Sequence, residues 1–328
     1  MSLRSFPGDL IRWGFWGPFR DHLDPKRPEL IHRYSALWWI QHGLAGPQKG
    51  RMEEEFRLCF GADQCVQTSE AYRIGLRTHL EELLLGQLDA STAPLHMTLA
   101  GRDRLEEALE RKKGVILLFP HAGSTMLMIA AISLAGYPYC QYAARGLAPE
   151  DRAEEHPELL GHSRLRGRTR QVREENEDRL PASFLTLDTS PRELYRRLEA
   201  NELLGIAYDG RIGTKFTLVP YLGREALLSP GPFRLSASTG AAIVPALSTC
   251  PAQGPSICEF GTPIFPENRP WRDLMEEFLR DVAEPWLHEN AAAYGLWLAH
   301  CRARAAVDDH PFFVDYAPDD RWHRYRES

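Results

Sequence analysis

The chain has 328 residues, with 39 Lys and Arg against 45 Asp and Glu, so its formal net charge is −6. This balance excludes a protein that binds nucleic acid or an anionic membrane through bulk positive charge. The composition, 43% hydrophobic and 26% charged, is that of a globular protein and excludes a disordered chain.

The first 90 residues carry the apolar spacing of helices. One broad apolar stripe follows Pro28, and a second runs through residues 71–88. No basic segment leads into an apolar core at the N-terminus, and no stretch approaches the roughly 20 apolar residues that a membrane-spanning helix needs. We therefore expect a cytoplasmic protein without a signal peptide or a transmembrane helix.

Aromatic residues are concentrated near the start of the chain, at Trp13, Phe15 and Trp16. Such rings suit the interface of a bilayer, which predicts a peripheral contact with the inner face of the cytoplasmic membrane. Two glycines and a proline interrupt any helix here, so packing of the rings against the rest of the protein is an equally good interpretation.

From about residue 103 the pattern changes to helices that alternate with buried strands. A charged helix over 103–113 leads into the apolar run 114–121, and an apolar helix follows over 123–134. The pattern recurs as helices over 190–201 and 232–239 and strands over 203–208 and 242–247. Continuous apolar runs between helices indicate buried parallel strands. The sequence therefore predicts an α/β fold in which a central, mostly parallel sheet has helices on both faces and follows an N-terminal helical segment.

The rest of the chain extends this pattern. A further strand is predicted over 256–260 and a closing helix over 271–290, bent or interrupted at Pro285. We divide the chain into a helical segment (1–100) packed on the core, an α/β domain (101–305) and a C-terminal tail (306–328), which together form one structural unit. The six cysteines are dispersed without metal-ligand spacing, so we expect reduced, mostly buried thiols and no metal site.

Two strand ends carry residues suited to chemistry. The first strand runs into His121, followed by Gly123 and Ser124, and the second ends in Asp209 and Arg211. In parallel sheets ligands gather at the carboxyl ends of the strands. An imidazole placed there can act as a general base toward a hydroxyl or an amine, and backbone N–H groups beside it can hold an oxyanion. These residues favour acyl transfer.

Several segments resemble one bacterial family in order and spacing. They are 114–129, 203–211, 219–224, 231–235 and 239–245. Over roughly residues 50–305 they are similar to the bacterial lysophospholipid acyltransferase superfamily, in its lipid A lauroyl/myristoyl acyltransferase branch. The resemblance implies transfer of an acyl group from an acyl-carrier-protein or coenzyme A thioester to a hydroxyl acceptor, with no metal or redox cofactor.

One position departs from the pattern of that family. The family signature places Asp or Glu five residues after the histidine, to orient the imidazole, and here that residue is Met126. If Gly123 opens the helix, Met126 lies about one turn in, and we expect its side chain to face His121 in the site. Removing the carboxylate from a comparable serine-protease triad costs about 10⁴-fold in rate. Three alternatives remain. In the first, Asp209 replaces the carboxylate. In the second, His121 acts unassisted on a better nucleophile such as an amine. In the third, catalysis has been lost and a binding pocket retained.

Two hypotheses follow. In the first, the protein is an acyltransferase in which His121 is the general base, Asp209 orients it, and the N–H groups of Gly123 and Ser124 hold the oxyanion. In the second, it is a catalytically silent protein that binds acyl chains or acyl carriers. Turnover of an acyl thioester separates them.

The first hypothesis also assigns partners. Arg211 or Arg145 would hold the thioester carrier or the acceptor, since a guanidinium binds phosphate bidentately. We expect Arg211 to face the same pocket as His121. The donor would be an acyl-carrier-protein or coenzyme A thioester, and the acceptor a lipid or a small molecule. Nucleic acid is not an expected partner.

Overall fold

The computed structural model describes residues 10, 13–44, 46–61, 67–143, 164–186, 188–211, 215–305 and 310–316. The N-terminal part consists of a π-helical turn (Phe15–Phe19), a 3₁₀ turn (Arg20–His22), helices α1 (Glu29–Ser35), α2 (Trp38–Leu44), α3 (Gly46–Phe60) and α4 (Thr68–Leu84), a 3₁₀ turn (Leu85–Gln87) and the short helix α5 (Ala93–His96). The first predicted apolar stripe forms α1 and α2, and the second forms α4. The prediction of an N-terminal helical segment is confirmed.

The α/β part alternates strands and helices as the sequence predicts. Its first half contains β1 (Met97–Ala100), α6 (Arg102–Glu110), β2 (Val115–Phe119), α7 (Thr125–Leu134), β3 (Tyr139–Ala143), α8 (Arg164–Asp178), β4 (Ser183–Thr186), α9 (Pro191–Glu199) and β5 (Leu203–Ala207). Its second half contains β6 (Thr217–Tyr221), β7 (Arg224–Leu228), α10 (Gly231–Thr239), β8 (Ala242–Thr249), β9 (Ser256–Phe260), α11 (Trp271–Glu277), a π-helical stretch (Phe278–Ala283), α12 (Glu284–Glu289), α13 (Ala291–Arg304) and a 3₁₀ turn (Val314–Tyr316).

Seven strands form one sheet in the order β1-β9-β8-β2-β5-β3-β4. All neighbouring strands are parallel except β8 and β9, which are antiparallel. The central strand β2 pairs with β5 on one side and β8 on the other, so that Val115 lies opposite both Leu203 and Ala242. The predicted α/β class with a mostly parallel central sheet is confirmed.

Alternate residues of β2 enter different cores on the two faces of the sheet. Ile116 and Leu118 belong to a core that includes Phe278, after α11. Leu117 belongs to a second core that includes Leu127 of α7. Because helices cover both faces, both sets of side chains are removed from water, which explains the unbroken apolar run of this strand.

Two regions lie outside this sheet or at its boundary. Strands β6 and β7 form a separate antiparallel hairpin, and Phe313 bridges to Ala226 of β7. Residues 310–316, part of the segment we assigned to the tail, thus pack on the hairpin. The sheet itself begins at Met97, slightly before the start we gave to the α/β domain.

The closing helix changes its winding before Pro285. The π-helical stretch Phe278–Ala283 joins α11 to α12, and Pro285 lies in the first turn of α12. A proline has no N–H to donate and its ring collides with the carbonyl one turn earlier, so a wider turn at this point relieves the clash.

Candidate active site

The carboxyl ends of β2 and β5 bring His121 and Asp209 together. The two strands are parallel neighbours, and the Tyr208 N–H continues their ladder by donating to the Phe119 carbonyl at 3.1 Å. His121 and Asp209 each follow their strand by two residues. The His121 backbone N–H donates to Asp209 Oδ2 at 2.9 Å, and His121 Nδ1 lies 2.6 Å from Asp209 Oδ1.

The Asp209 carboxylate is fully buried and held by three donors. Besides the two from His121, the Tyr294 hydroxyl of α13 donates to Oδ2 at 2.9 Å. Burial, together with the charge of Asp209, raises the pKa of Tyr294 well above its ordinary value, so this hydroxyl keeps its proton. A buried carboxylate is tolerated when its oxygens accept several hydrogen bonds, and this one has a fixed orientation.

These contacts set the tautomer and the orientation of the His121 ring. Because a carboxylate oxygen can only accept, Nδ1 donates to Asp209, and in the neutral imidazole the lone pair is therefore on Nε2. The Trp297 indole stacks on the imidazole with ring centroids 3.9 Å apart and an angle of 14° between planes. The His121 side chain remains 37% exposed, so the oriented imidazole is accessible.

The turn after His121 offers one backbone donor. The Ala122 N–H donates to the Pro120 carbonyl at 2.8 Å, and the Ser124 N–H donates to Ser248 Oγ at 3.1 Å. The Gly123 N–H donates to none of the described residues. The expectation that Ser124 supplies an oxyanion donor is therefore corrected, because Ser248 occupies that N–H.

Glycine is required at position 123. Its φ is +63°, a left-handed conformation, and a Cβ there would lie 2.2 Å from the Ser248 carbonyl oxygen. The backbone therefore approaches β8 more closely than any side chain would allow.

A buried polar cluster lies beneath this turn, formed by Arg77 and Glu81 of α4 with Ser124, Cys250 and Ser256. Arg77 Nε donates to Glu81 Oε1 at 2.7 Å, and both side chains are 2% exposed. Glu81 in turn accepts from the hydroxyls of Ser124 and Ser256. The Ser124 side chain therefore anchors the turn to α4 and does not face a substrate.

A cavity of about 330 Å³ opens beside His121. It is lined by α4 (Ala71, Ile74, Gly75, Thr78, His79, Glu82), by the turn (His121, Gly123) and by α13 (Ala293, Leu296, Trp297). A Cβ on Gly75 would lie 2.2 Å from Leu296 Cδ1, so the two helices approach closely at this position. This volume is at the lower end of the range for small-molecule sites.

Arg211 does not belong to this cavity, which corrects the expectation that it faces His121. Its Nη1 donates to the Leu227 carbonyl at 2.7 Å, and its Nη2 donates to the His310 carbonyl. The guanidinium also lies over the rings of Phe216 and Phe312, at 4.8 and 5.4 Å. Arg211 thus joins the hairpin to residues 310–316, because carbonyl oxygens occupy donors that a phosphate would need.

The remaining candidate residues are Met126 and Arg145. Met126 is half-buried and packs with apolar residues, among them Leu85 and Leu180, and it is not among the residues that line the cavity. The expectation that its side chain faces His121 is therefore corrected. Arg145 lies outside the described residues.

The aromatic residues of the N-terminal turn are not a surface patch. Trp16 is 4% exposed and packs edge-on against His79, with ring centroids 5.8 Å apart. Trp13 is half-buried, and the side chain of Phe15 lies outside the described ones. Exposed apolar side chains of the helical segment are found instead at and just before α2: Leu37, Trp39, Ile40 and Leu44.

Sequence reasoning missed four residues of the site, namely His79, Glu82, Tyr294 and Trp297. A signal existed for the first two, since Gly75, Thr78, His79 and Glu82 have the spacing of one helix face and place polar groups on a buried helix. No pattern pointed to Tyr294. Trp297 lies beyond the five segments on which the resemblance to the family rests.

Within the described ranges, no helix is long and apolar enough to cross a membrane, and no group of three or more His, Cys, Asp or Glu is arranged to hold a metal ion. The described cysteines, Cys59, Cys140, Cys250, Cys258 and Cys301, are free and buried.

Comparisons with known proteins agree with this geometry. A family model described as bacterial lipid A biosynthesis acyltransferase matches residues 81–257, just over half of the chain. The match begins in α4 and ends in β9, and it includes His121 and Asp209. No curated protein gives a significant match to the chain.

Proposed function

The chain belongs to the bacterial lipid A biosynthesis acyltransferase family, and from this premise we propose that it transfers an acyl group from a thioester to a hydroxyl or amine acceptor with His121 as general base. The donor is the thioester of an acyl carrier protein or of coenzyme A. The acceptor is a lipid or a small molecule.

One observation carries this proposal. His121 Nδ1 lies 2.6 Å from the buried carboxylate of Asp209, while the opposite side of the ring is open to a cavity. A carboxylate that fixes the tautomer and stabilises the imidazolium is what general-base catalysis by histidine requires. Asp209 can therefore replace the carboxylate that is absent at position 126, which favours catalysis over a silent binding protein.

The chemistry follows from the positions of these atoms. Nε2 of His121 takes the proton of the acceptor as its oxygen or nitrogen attacks the thioester carbonyl. The Gly123 N–H is placed to stabilise the oxyanion that forms. When the carbon–sulfur bond breaks, the imidazolium returns the proton to the leaving thiolate, so no net charge is left on the protein.

We also propose that the protein works in the cytoplasm with a peripheral contact to the membrane. The exposed apolar side chains at α2 support such a contact better than the buried Trp16 does. Helix α2 packs on α4, which forms one wall of the cavity, through Trp38 in a core that contains Leu76 and Leu80.

The test is turnover of an acyl thioester, followed by release of the free thiol. His121→Ala should lower the rate by at least about 10²-fold, the usual contribution of a general base. His22→Ala, at an exposed histidine outside the cavity, is the matched control and should leave the rate unchanged. Activity of His121→Ala near that of the wild type would overturn the assignment of His121 as general base, and absence of turnover by the wild type would leave a protein that only binds acyl groups.

A further inference from the structure

The wall of the cavity opposite the turn carries polar groups that the proposed mechanism does not use. Thr78, His79 and Glu82 lie on one face of α4, at successive intervals of one and three residues, and line the same cavity as His121. The remaining lining residues of α4 and α13, such as Ile74 and Leu296, are apolar. The cavity therefore has a polar region and an apolar region.

Glu82 has a carboxyl group that no described residue pairs with. Among the described residues, its carboxylate forms neither a hydrogen bond nor an ion pair, whereas the adjacent Glu81 is fully engaged in the buried polar cluster. The cation whose charge lowers the pKa of Glu82 is Arg173 of α8, which is itself paired with Glu177 at 3.2 Å. The carboxylate is therefore available to a ligand.

The electrostatics of the site agree with this geometry. Burial raises the pKa of the Glu82 carboxyl above its ordinary value, Arg173 lowers it, and the charge of Glu81 raises it further. An ionised carboxylate in such surroundings is stabilised by a cation that enters the cavity.

The charge of the lining also disfavours one class of ligand. Among the described residues that line the cavity, none is Lys or Arg, and an ionised Glu82 would repel a phosphate. An ammonium group, in contrast, would pair with Glu82, and an attached hydrocarbon would contact Ile74 and Leu296.

We propose that the face of α4 formed by Thr78, His79 and Glu82 binds the acceptor, and that this acceptor is a primary amine on an apolar chain rather than a phosphorylated molecule. The proposal rests on the proposed function. The bound ammonium gives one proton to Glu82, which later releases it to solvent. The neutral amine then attacks the thioester carbonyl, a carbon–nitrogen bond forms as the carbon–sulfur bond breaks, and the second proton passes through His121 to the leaving thiolate.

The first experiment measures binding alone. Titration calorimetry compares octylamine, octan-1-ol and octyl phosphate on the full chain, for the wild type, Glu82→Gln, Glu82→Asp and the control Glu107→Gln, which changes an exposed glutamate of α6. We expect octylamine to bind the wild type best and to bind Glu82→Gln about tenfold more weakly, the loss expected for one charge-assisted hydrogen bond.

The variants also distinguish loss of the binding site from loss of the folded structure. Glu82→Asp keeps the charge and should retain part of the affinity for octylamine, and octan-1-ol should bind all four proteins equally. Equal affinity of the wild type for octylamine and octan-1-ol, preference for octyl phosphate, or unchanged octylamine affinity in Glu82→Gln would each overturn the proposal.

The second experiment measures thioester turnover with octylamine or octan-1-ol as acceptor. Glu82→Gln should raise KM for octylamine and leave KM for octan-1-ol unchanged. If both acceptors react equally well and neither depends on Glu82, the assignment of an amine acceptor fails while the acyltransferase function stands. If octylamine binds through Glu82 and no acceptor is acylated, the acyltransferase function fails instead.

Discussion

At the scale of single residues, the position of a carboxylate decides how His121 can work. Asp209 Oδ1 contacts Nδ1 directly, and Asp209 is fixed by Tyr294 and by the backbone of His121. Asp209→Asn should therefore lower the rate of acyl transfer by about 10² to 10⁴-fold, because an amide can present its N–H to Nδ1 and stabilise the wrong tautomer. Measurement of kcat, with circular dichroism to verify folding, tests this. A rate close to that of the wild type would mean that Asp209 only supports the structure.

Met126→Glu restores the carboxylate of the family signature, but we do not expect it to increase the rate of acyl transfer. The side chain packs beside Leu85 and Leu180, so a glutamate there would place a charge among apolar groups and lower the melting temperature. The rate of acyl transfer should not increase, since Asp209 already occupies Nδ1. An increase in rate would show that the side chain at 126 can reach the imidazole. Met126→Leu, which keeps the apolar packing, is the matched control.

The pairing of His121 with Asp209 could be anticipated because the carboxyl ends of parallel strands share one edge of the sheet. The orientation of Arg211 could not. It depends on Leu227 and His310, which are distant in sequence and contact the guanidinium only after the hairpin has packed. The orientation of the Met126 side chain could not be predicted from the sequence either. Helical geometry gives the helix face on which a residue lies, but not the neighbouring side chains that pack on that face.

At the scale of elements, a buried histidine joins the helical segment to the sheet. His96, just before β1, places Nε2 2.7 Å from the Pro25 carbonyl, and burial lowers the pKa of His96 below its ordinary value. The folded state therefore keeps this ring neutral, while the unfolded chain takes up a proton near pH 6.5. Stability from this contact is present above that pH and is lost as the pH falls toward the folded pKa.

We expect the free energy of unfolding to decrease when the pH is lowered from 7.5 to 5.5. In His96→Gln the decrease should be smaller, because glutamine does not titrate. Urea unfolding at the two pH values measures both effects. The control His22→Gln, at an exposed position, should retain the full decrease of the wild type. An equal decrease in His96→Gln would assign the pH dependence to other groups, among them His32, whose pKa burial also lowers.

The predictable elements are those with strong local patterns. β2, β5 and β8 are unbroken apolar runs and were located from the sequence, as were α4 and α7. β3, β4 and the hairpin were not, because short strands such as Ser183–Thr186 carry mixed residues, and their pairing depends on distant partners.

At the scale of the whole molecule, the exposed apolar side chains at α2 are the surface that we propose contacts lipid. Sedimentation with vesicles of phosphatidylethanolamine and phosphatidylglycerol should carry the wild type down. The double variant Trp39→Ser, Leu44→Ser should reduce the bound fraction about tenfold or more, since each side chain contributes about 1.5–3 kcal/mol when it leaves water. Leu95→Ser, at an exposed leucine of α5, is the control. Unchanged sedimentation of the double variant would exclude this surface as the contact.

The order of strands in the sheet has a consequence for biosynthesis. β1 pairs with β9, and β2 pairs with both β5 and β8. Met97 therefore cannot pair before Ser256 has been synthesised, and Val115 cannot pair with β8 before Ala242 has been synthesised. A ribosome releases these partners many seconds apart, at roughly 5–20 residues per second. Until then the edges of β1 and β2 expose unpaired backbone groups that invite aggregation. Nascent chains arrested before residue 242 should therefore depend on chaperones, and fragments that end there should be insoluble, whereas chains that extend past β9 can close the sheet.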